Sequence, residues 1–369
     1  MALTVWAVDP GRVRRGHLVP LECTVVLRDA DVGTFVATVA DDELAARVAD
    51  GWRLVFQDGD ETVLSGPVTG VSRNSVERSC TFSGESDLVH VRDRLVYPNP
   101  ALPGSGQSSD AYYRRSGPAE TVVRDMIYQN AGAGALADRR VSGLTVPASQ
   151  GRGSAVKTNL RYKNLLEECR ALARLGGITF DAAQEESGDI AVRFRVPADR
   201  SRSARFTERN GGFLEGHYSL GAPTATVVLV AGQGQGTERN IIERARASSW
   251  GRRVEAFKDQ RDTDDADELE QSAAEQLDEG AASASATFVA GDVPGLRFGV
   301  DYRLGDTVSV EIGRAVASEP VRQVELSWDG HGRTARLSLG DHDSADDRAP
   351  KWVSKIKKLD ARVRGMEVR

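Results

Sequence analysis

At 369 residues the chain is longer than one hydrophobic core usually supports, so about two to four domains of ordinary size are expected. A hydrophobic content of 40% beside 28% charge excludes a wholly disordered chain. A net charge of −6 with a pI near 5.6 excludes the overall basic field that grips phosphate backbones, so stable nucleic-acid binding is not expected.

The opening segment MALTVWAVDPGRVRRG has no apolar core behind a basic stretch, and no run approaches the ~20 apolar residues of a membrane span. Folding in a cytosol, with no membrane span, is therefore expected. Residues 1–97 read as β structure. CTVVLRD (23–29), GTFVATVA (33–40), WRLVFQ (52–57), ETVLSG (61–66), PVTGVSR (67–73) and RSCTFSGE (78–85) are short, often alternating, and bounded by turn formers. Asp58-Gly59 marks a hairpin because glycine accepts positive φ, and DDELAARVAD predicts one small helix among the strands.

The Pro-, Gly- and Ser-rich stretch YPNPALPGSGQSSDAYY (97–113) marks a boundary or exposed loop. Beyond it the period changes. GPAETVVRDMIYQNAG places Val122, Val123, Met126 and Ile127 on one helical face behind Pro118. A second helix carries Leu165, Leu166, Cys169, Leu172 and Leu175 and stops at Gly176-Gly177. With strands ITFDA (178–182) and IAVRFRV (190–196), residues 98–205 read as α+β. TATVVLVAGQGQG (224–236) is a strand entering a glycine loop, and residues 262–284 form a polar helix with an acidic first turn, where the helix dipole favours carboxylates. From residue 287 the two-residue period returns through TFVA, DYRL, DTVSVEIG, VRQVELSWDG and RTARLSLGD.

Three short motifs recur in one order. WRL (52–54), SGPVTGV (65–71) and RSCTFS (78–83) are echoed by YRL (302–304), SEPVRQV (318–324) and RTARLS (333–338), at offsets of 250, 253 and 255 residues. Two β domains of similar topology would give this pattern.

Sites for chemistry are sparse. GQGQGTERN (232–240) has Thr237 where a dinucleotide fingerprint needs its third glycine, so a structural turn is expected. DHDSADD (341–347) has Ala345 where a calcium loop needs Asp or Asn and lacks the closing Glu. Cys23, Cys80 and Cys169 are odd in number and in no CxxC spacing, and the five histidines show no ligand spacing, so neither metal nor cofactor is expected. Glu167 with Glu168, Glu185 with Glu186, or Cys169 could serve a hydrolase, although no GxSxG or local cysteine signature is present. Tyr97, Tyr112 and Tyr113 around the loop 98–116 could serve a glycan-binding adhesin.

After the acidic linker comes KWVSKIKKLDARVRGMEVR. Trp352, Ile356, Leu359, Val363 and Met366 are spaced 4, 3, 4 and 3, the seam of a left-handed coiled coil. With Ile356 and Val363 at a, Lys355 and Arg362 fall at g, and Asp360 and Glu367 fall at e, five positions later and of opposite charge. This register suits parallel self-association. A helix of about two heptads is marginal alone, so it extends an oligomer held by larger domains or docks on its own chain. Seam composition leans toward two strands, so oligomer number must come from elsewhere.

GWRLVF…VLSGPVTGV…DLVHVRDRLVYPNP (51–100), VVLVAGQGQGTERN, SWGRRVEAFKDQRD (249–262) and VDYRLGDTVSVEI (300–312), in that order, resemble the tail-hub or tail-associated baseplate proteins of siphophages, above all the minor tail proteins of actinobacteriophages. Only seven of 48 basic residues are lysine, the skew a GC-rich host would produce. The resemblance implies a mainly β fold with α+β insertions: a β-barrel hub domain (1–97), an α/β intermediate domain (98–205), a similar discontinuous β-barrel (206–235 and 285–345), an inserted helical segment (236–284) and a linker with the terminal helix (346–369). It further implies a non-enzymatic structural protein of the virion tail, similar to the central hub of contractile-tailed phages. That hub is a homotrimer whose paired barrels match a six-fold tail tube to a three-fold fibre or spike and which opens for DNA. The implied partners are its own copies, the distal tail protein ring, a tail fibre or spike, the tape-measure protein and DNA in passage. Longer relatives carry wall-hydrolysing or fibre regions, so a separate fibre or spike is expected near Trp352–Arg369.

Overall fold

The computed structural model describes residues 3–107, 110–248, 250–261, 263–290, 293–312, 315–330 and 332–340. At 44% strand against 16% helix the fold is mainly β. The chain opens with β1 (Leu3–Val8), β2 (Arg14–Leu18), β3 (Pro20–Arg28), β4 (Asp31–Ala40), α1 (Glu43–Arg47), β5 (Arg53–Asp58), β6 (Glu61–Asn74) and β7 (Ser79–Glu85). Alternation works as expected: Phe35, Ala37 and Val39 of β4 point inward and are fully buried. Gly59, at φ 68°, turns the β5–β6 hairpin. Asp42 caps α1 by accepting from the Ala45 amide at 2.8 Å.

A layer of mixed structure follows: α2 (Val89–Arg92), β8 (Tyr113–Pro118), α3 (Ala119–Asn130), β9 (Leu144–Thr145), β10 (Ala155–Leu160), α4 (Leu165–Leu175), β11 (Thr179–Gln184) and β12 (Ile190–Arg195). The two long helices sit where their periodicity put them. Asn164 caps α4, and Leu165, Leu166, Cys169 and Leu172 bury its apolar stripe against Val122, Val123, Met126 and Ile127 of α3 in one cluster.

The remainder comprises β13 (Arg205–Phe206), β14 (Phe213–Gly221), β15 (Val227–Ala231), β16 (Ile241–Ala245), β17 (Glu255–Asp259), α5 (Ala266–Glu279), β18 (Ser283–Ala290), β19 (Thr307–Ile312), β20 (Ala315–Asp329) and β21 (Gly332–Leu339). Strands from both ends of the chain form one thirteen-stranded sheet in the order β14-β18-β21-β20-β3-β4-β7-β6-β5-β1-β2, with β19 beside β20 and β13 beside β19. Separate closed barrels were expected. Among the described residues no sheet closes, because β20 is long enough to pair β19, β21 and β3, and its contact with β3 runs one half into the other. Both halves share one apolar cluster, from Val5 and Phe56 to Phe288 and Leu339.

The glycine-loop strand also departs from expectation. β15 lies outside the large sheet and is the centre of a separate one, antiparallel to β16 and parallel to β17, with α5 packed on it through Leu269, Ala273 and Leu277. The inserted segment, expected to be helical, is therefore a small α/β module. Its helix α5 was legible in the sequence. Its strands β16 and β17 were not, since IIERA and EAFKD are exposed at most positions and carry no apolar period.

Candidate functional site

The structure contains a duplicated unit of five strands. In the early half β3, β4, β5, β6 and β7 pair in the order β3-β4-β7-β6-β5; in the late half β14, β18, β19, β20 and β21 pair as β14-β18-β21-β20-β19. The copies share two register breaks, while those of the early half at Val26/Arg28 and Phe56/Gln57 have no late counterpart. Register breaks between Val68 and Gly70 of β6 and between Val321 and Gln323 of β20; it breaks again between Pro20 and Glu22 of β3 and between Phe213 and Glu215 of β14. A bulge is a defined local bend, and four bulges at two equivalent places argue for one ancestral unit. Core positions correspond as well: Ala37 and Val39 to Phe288 and Ala290, Leu54 and Phe56 to Val308 and Val310, and Phe82 to Leu337, all buried.

The recurring Ser-x-Pro-Val motif sits at this bend, with Pro67 opposite Arg53 and Pro320 opposite Thr307, each facing the first residue of its partner strand. Proline lacks an amide donor and is tolerated where a strand leaves one partner for another. The RSCTFS and RTARLS motifs occupy equivalent parts of β7 and β21. WRL and YRL do not correspond. Arg53 is equivalent to Thr307, so that third match arose from chance in a turn before β19.

Buried polar groups fix the mixed layer against the sheet. Asp87, fully buried, pairs with Arg53 and accepts from Ser65 Oγ at 2.5 Å; Arg53 Nε donates to Gln184 Oε1 at 3.0 Å, and the Gln184 amide donates to Ser65 Oγ at 2.6 Å. At the β3–β4 turn, Asp29 accepts from Thr179 Oγ1 at 2.5 Å and from Arg322 at 2.6 Å, tying early half, mixed layer and late half together. Asp306 does the same for Arg195 at 2.6 Å and the Ala198 amide at 2.9 Å. None of these ties was read from the sequence, where a lone Asp or Arg in a strand gives no sign of a distant partner.

Glu120 on α3 is buried and bound twice by Arg152 at 2.8 Å and by the amides of Arg152 and Gln150. The Arg152 guanidinium, then those amides, hold its carboxyl down to about 2 from an ordinary 4.5. A depressed carboxylate stabilises the fold fully above 4.5, and that contribution is lost as pH falls toward 2. Acid unfolding of Glu120→Gln, followed by tryptophan fluorescence, should therefore show a shallower loss of stability across that window than the parent. Equal slopes would remove Glu120 from the acid response.

A cavity of about 350 Å³ lies where the Asp58–Glu61 turn, the β11–β12 hairpin and residues 297–304 meet. Leu64, Leu326, Phe194 and Phe298 give it apolar walls, and Asp58 on its rim lies 3.6 Å from Arg333 and 3.9 Å from Arg297. None of Glu167, Glu168, Cys169, Glu185 and Glu186 lines it. Glu167 is exposed on α4, burial raises the pKa of the half-buried Glu168, and burial pushes the Cys169 thiol well up. Glu185 and Glu186 stand exposed in the β11–β12 turn. The structure assembles no acid, base and nucleophile from these five.

Of the three tyrosines around this loop, Tyr112 is half-buried with Arg114 over its ring at 5.7 Å, and the other two are held by packing. Tyr113 is buried, and Tyr97 stacks edge-on to Tyr162 at 5.8 Å with Arg139 over its ring at 3.6 Å. The glycine loop closes a hairpin between β15 and β16, with Arg239 donating to the carbonyls of Gly232 at 2.6 Å and Ala231 at 2.7 Å. It does not present a helix N-terminus to a phosphate. No cluster with metal-ligating character occurs among the described residues, and no described helix is long and apolar enough to cross a membrane. The calcium-like run 341–347, the seam Trp352, Ile356, Leu359, Val363 and Met366, and its ion-pair partners Lys355, Asp360, Arg362 and Glu367 lie outside the described residues.

Several solved structures share this fold. The 43 kDa tail protein of prophage MuSo2 from Shewanella oneidensis superposes with a TM-score of 0.59 at 11% identity, covering 91% of this chain and 97% of that one. Prophage tail protein gp18 from Listeria monocytogenes gives 0.59 at 10% identity, with 96% and 99% covered. A tail protein from Neisseria meningitidis gives 0.57 at 12% identity, with 92% and 97% covered. No curated protein matches the sequence. A family profile does match, over residues 3–341, spanning both copies of the five-strand unit, the mixed layer and the inserted module. The chain thus belongs to the family described as Siphovirus ReqiPepy6 Gp37-like protein.

Proposed function

We propose that this protein is a non-enzymatic baseplate hub of a long-tailed phage, a homotrimer that closes the tail tube, joins it to a three-fold fibre or spike, and opens for DNA. The observation that carries this is the duplicated five-strand unit. Three chains with two like units each present six similar positions, which lets a three-fold object sit on a six-fold one. Family membership and the fold shared with phage tail proteins support a place in the virion tail. In this reading residues 1–97 and 206–221 with 283–345 are the hub domains, 98–205 the intermediate domain, 222–282, which hold the small α/β module, the insertion and 346–369 the linker and helix. Neighbours in the tail would be the distal tail protein ring, the tape-measure protein and the fibre or spike. The acidic overall charge suits a channel through which DNA slides without sticking.

In the terminal helix Trp352, Ile356, Leu359, Val363 and Met366 would form the seam, with Lys355 meeting Asp360 and Arg362 meeting Glu367 of neighbouring copies. Light scattering of the purified full chain is expected to give three times the monomer mass. Leu359→Glu should weaken that species without changing the circular dichroism of the β region. A strictly monomeric parent at micromolar concentration would count against the trimer, and an unaltered Leu359→Glu trimer would count against the seam.

A further inference from the structure

The five-strand unit occurs twice but is completed once. In the late half β20 has β21 on one side, and along Gln323–Trp328 it has β3 on the other, antiparallel. That seam joins the halves. By the shared register, Gln323–Ser327 of β20 correspond to Gly70–Asn74 of β6, and Thr24–Arg28 of β3 correspond to His217–Gly221 of β14. Among the described residues the Gly70–Asn74 stretch pairs only with β7, and β14 pairs only with β18. Each copy of the unit therefore owns one half of a seam whose other half is missing.

Burial records the same gap. Val324, inside the seam, is 0% exposed, whereas its counterpart Val71 is 43% exposed. Ser72, Arg73 and Asn74 are exposed too, although Arg73 reaches back to Asp41 at 2.9 Å and to carbonyls of α1. An edge strand this open offers unpaired amides and carbonyls to another strand unless the native assembly covers them. The protein already contains the strand shaped to cover it, at the far edge of the sheet in β14.

We propose that β6 of one copy pairs with β14 of the next copy across the subunit boundary, in the antiparallel register that β20 and β3 use within the chain. Gly70 then lies opposite Gly221, Ser72 opposite Ser219 and Asn74 opposite His217. The inference rests on the trimer reading and adds the contact that makes it. Inside the chain two of the seam pairs are polar: Thr24 Oγ1 meets Ser327 Oγ at 3.2 Å, and Arg28 Nε donates to Gln323 Oε1 at 3.0 Å. Asn74 and His217 keep that character at the boundary. The contact is heterologous, edge to opposite edge, so with the rotation of the trimer reading its repetition closes a ring and not a two-fold dimer. Internal and intermolecular seams then alternate around that ring.

Cysteine trapping tests the register. Directly opposite residues in antiparallel strands have Cα atoms about 4.5–5.5 Å apart, within disulfide reach, whereas diagonal neighbours lie about 7–8 Å apart, beyond it. The native Cys23, Cys80 and Cys169 are buried, which keeps background oxidation low. The full chain carrying Ser72→Cys and Ser219→Cys should give disulfide-linked two- and three-chain species in about tenfold higher yield than Ser72→Cys with His217→Cys. Equal or reversed yields in a sample that light scattering shows to be trimeric would overturn this register and leave the trimer standing. A monomeric sample that crosslinks in neither variant would overturn both. As a second check, Val71→Lys should shift the protein toward monomer with unchanged circular dichroism, and a trimer indifferent to that charge would exclude the β6 edge.

Discussion

Asp87→Ala should cost about 3–5 kcal/mol of stability, measured by urea unfolding of the full chain. The carboxylate has no exposed surface, and the Arg53 side chain paired with it is only 7% exposed. Removing the acid strands a guanidinium in the interior with Gln184 and the edge of His90 as its remaining neighbours, and leaves Ser65 Oγ without its acceptor. Breaking a buried pair by deleting one partner is costly for that reason, whatever the net worth of the intact pair. Asp87→Asn, which keeps an acceptor for Ser65 but no charge, should fall between alanine and the parent. A loss below about 1 kcal/mol for the alanine variant would mean that water or a rearranged neighbour satisfies Arg53, and that the mixed layer is held by its apolar contacts instead.

Phe288→Ala should cost a similar amount, about 3–5 kcal/mol, by lost burial and the cavity left behind. Phe288 is 1% exposed and packs on Phe206 at 4.9 Å and Phe213 at 5.7 Å between ring centres. Because the apolar cluster runs through both halves, its loss should lower one cooperative transition. Phe35→Ala in the early half, where the ring lies 4.9 Å from Phe56, should lower the same transition. Two separate transitions, each moved by only one of the substitutions, would show that the halves fold independently and that the β3·β20 seam contributes little.

The amphipathic elements were open to reading because one face of each is buried. The α3 and α4 stripes and the alternation in β4 and β7 follow directly from burial on one side. β2, with sequence RRGHL, was missed because it lies at the sheet edge with Arg14 resting on Trp6 at 4.8 Å and solvent on much of its surface, so no apolar period marks it. β8 and β10 were hidden for the same reason, as a two-stranded sheet with half-exposed side chains. The repeat was legible at the bulge, where Ser-x-Pro-Val is constrained by backbone geometry, and in the RSCTFS and RTARLS stretches of β7 and β21. Elsewhere Ala37 stands for Phe288 and Phe56 for Val310, because a core requires volume and not identity. The ties through Asp29, Asp87 and Asp306 link residues up to 293 positions apart, a distance at which sequence pattern carries no information.

The inserted module springs from the β14–β18 connection, the counterpart of the tight β3–β4 turn. The early corner is clasped by Thr179 and Arg322 through Asp29, so added residues there would pull apart three layers at once. The late corner carries a module whose apolar cluster is its own and whose helix α5 is tied to β10, Gln271 exchanging hydrogen bonds with the Lys157 backbone at 2.7 Å and Lys157 Nζ reaching Asp267 at 2.6 Å. Growth on that corner leaves the Asp29 clasp and the apolar cluster shared by the two halves untouched. In the proposed trimer that module would stand at every second of the six positions.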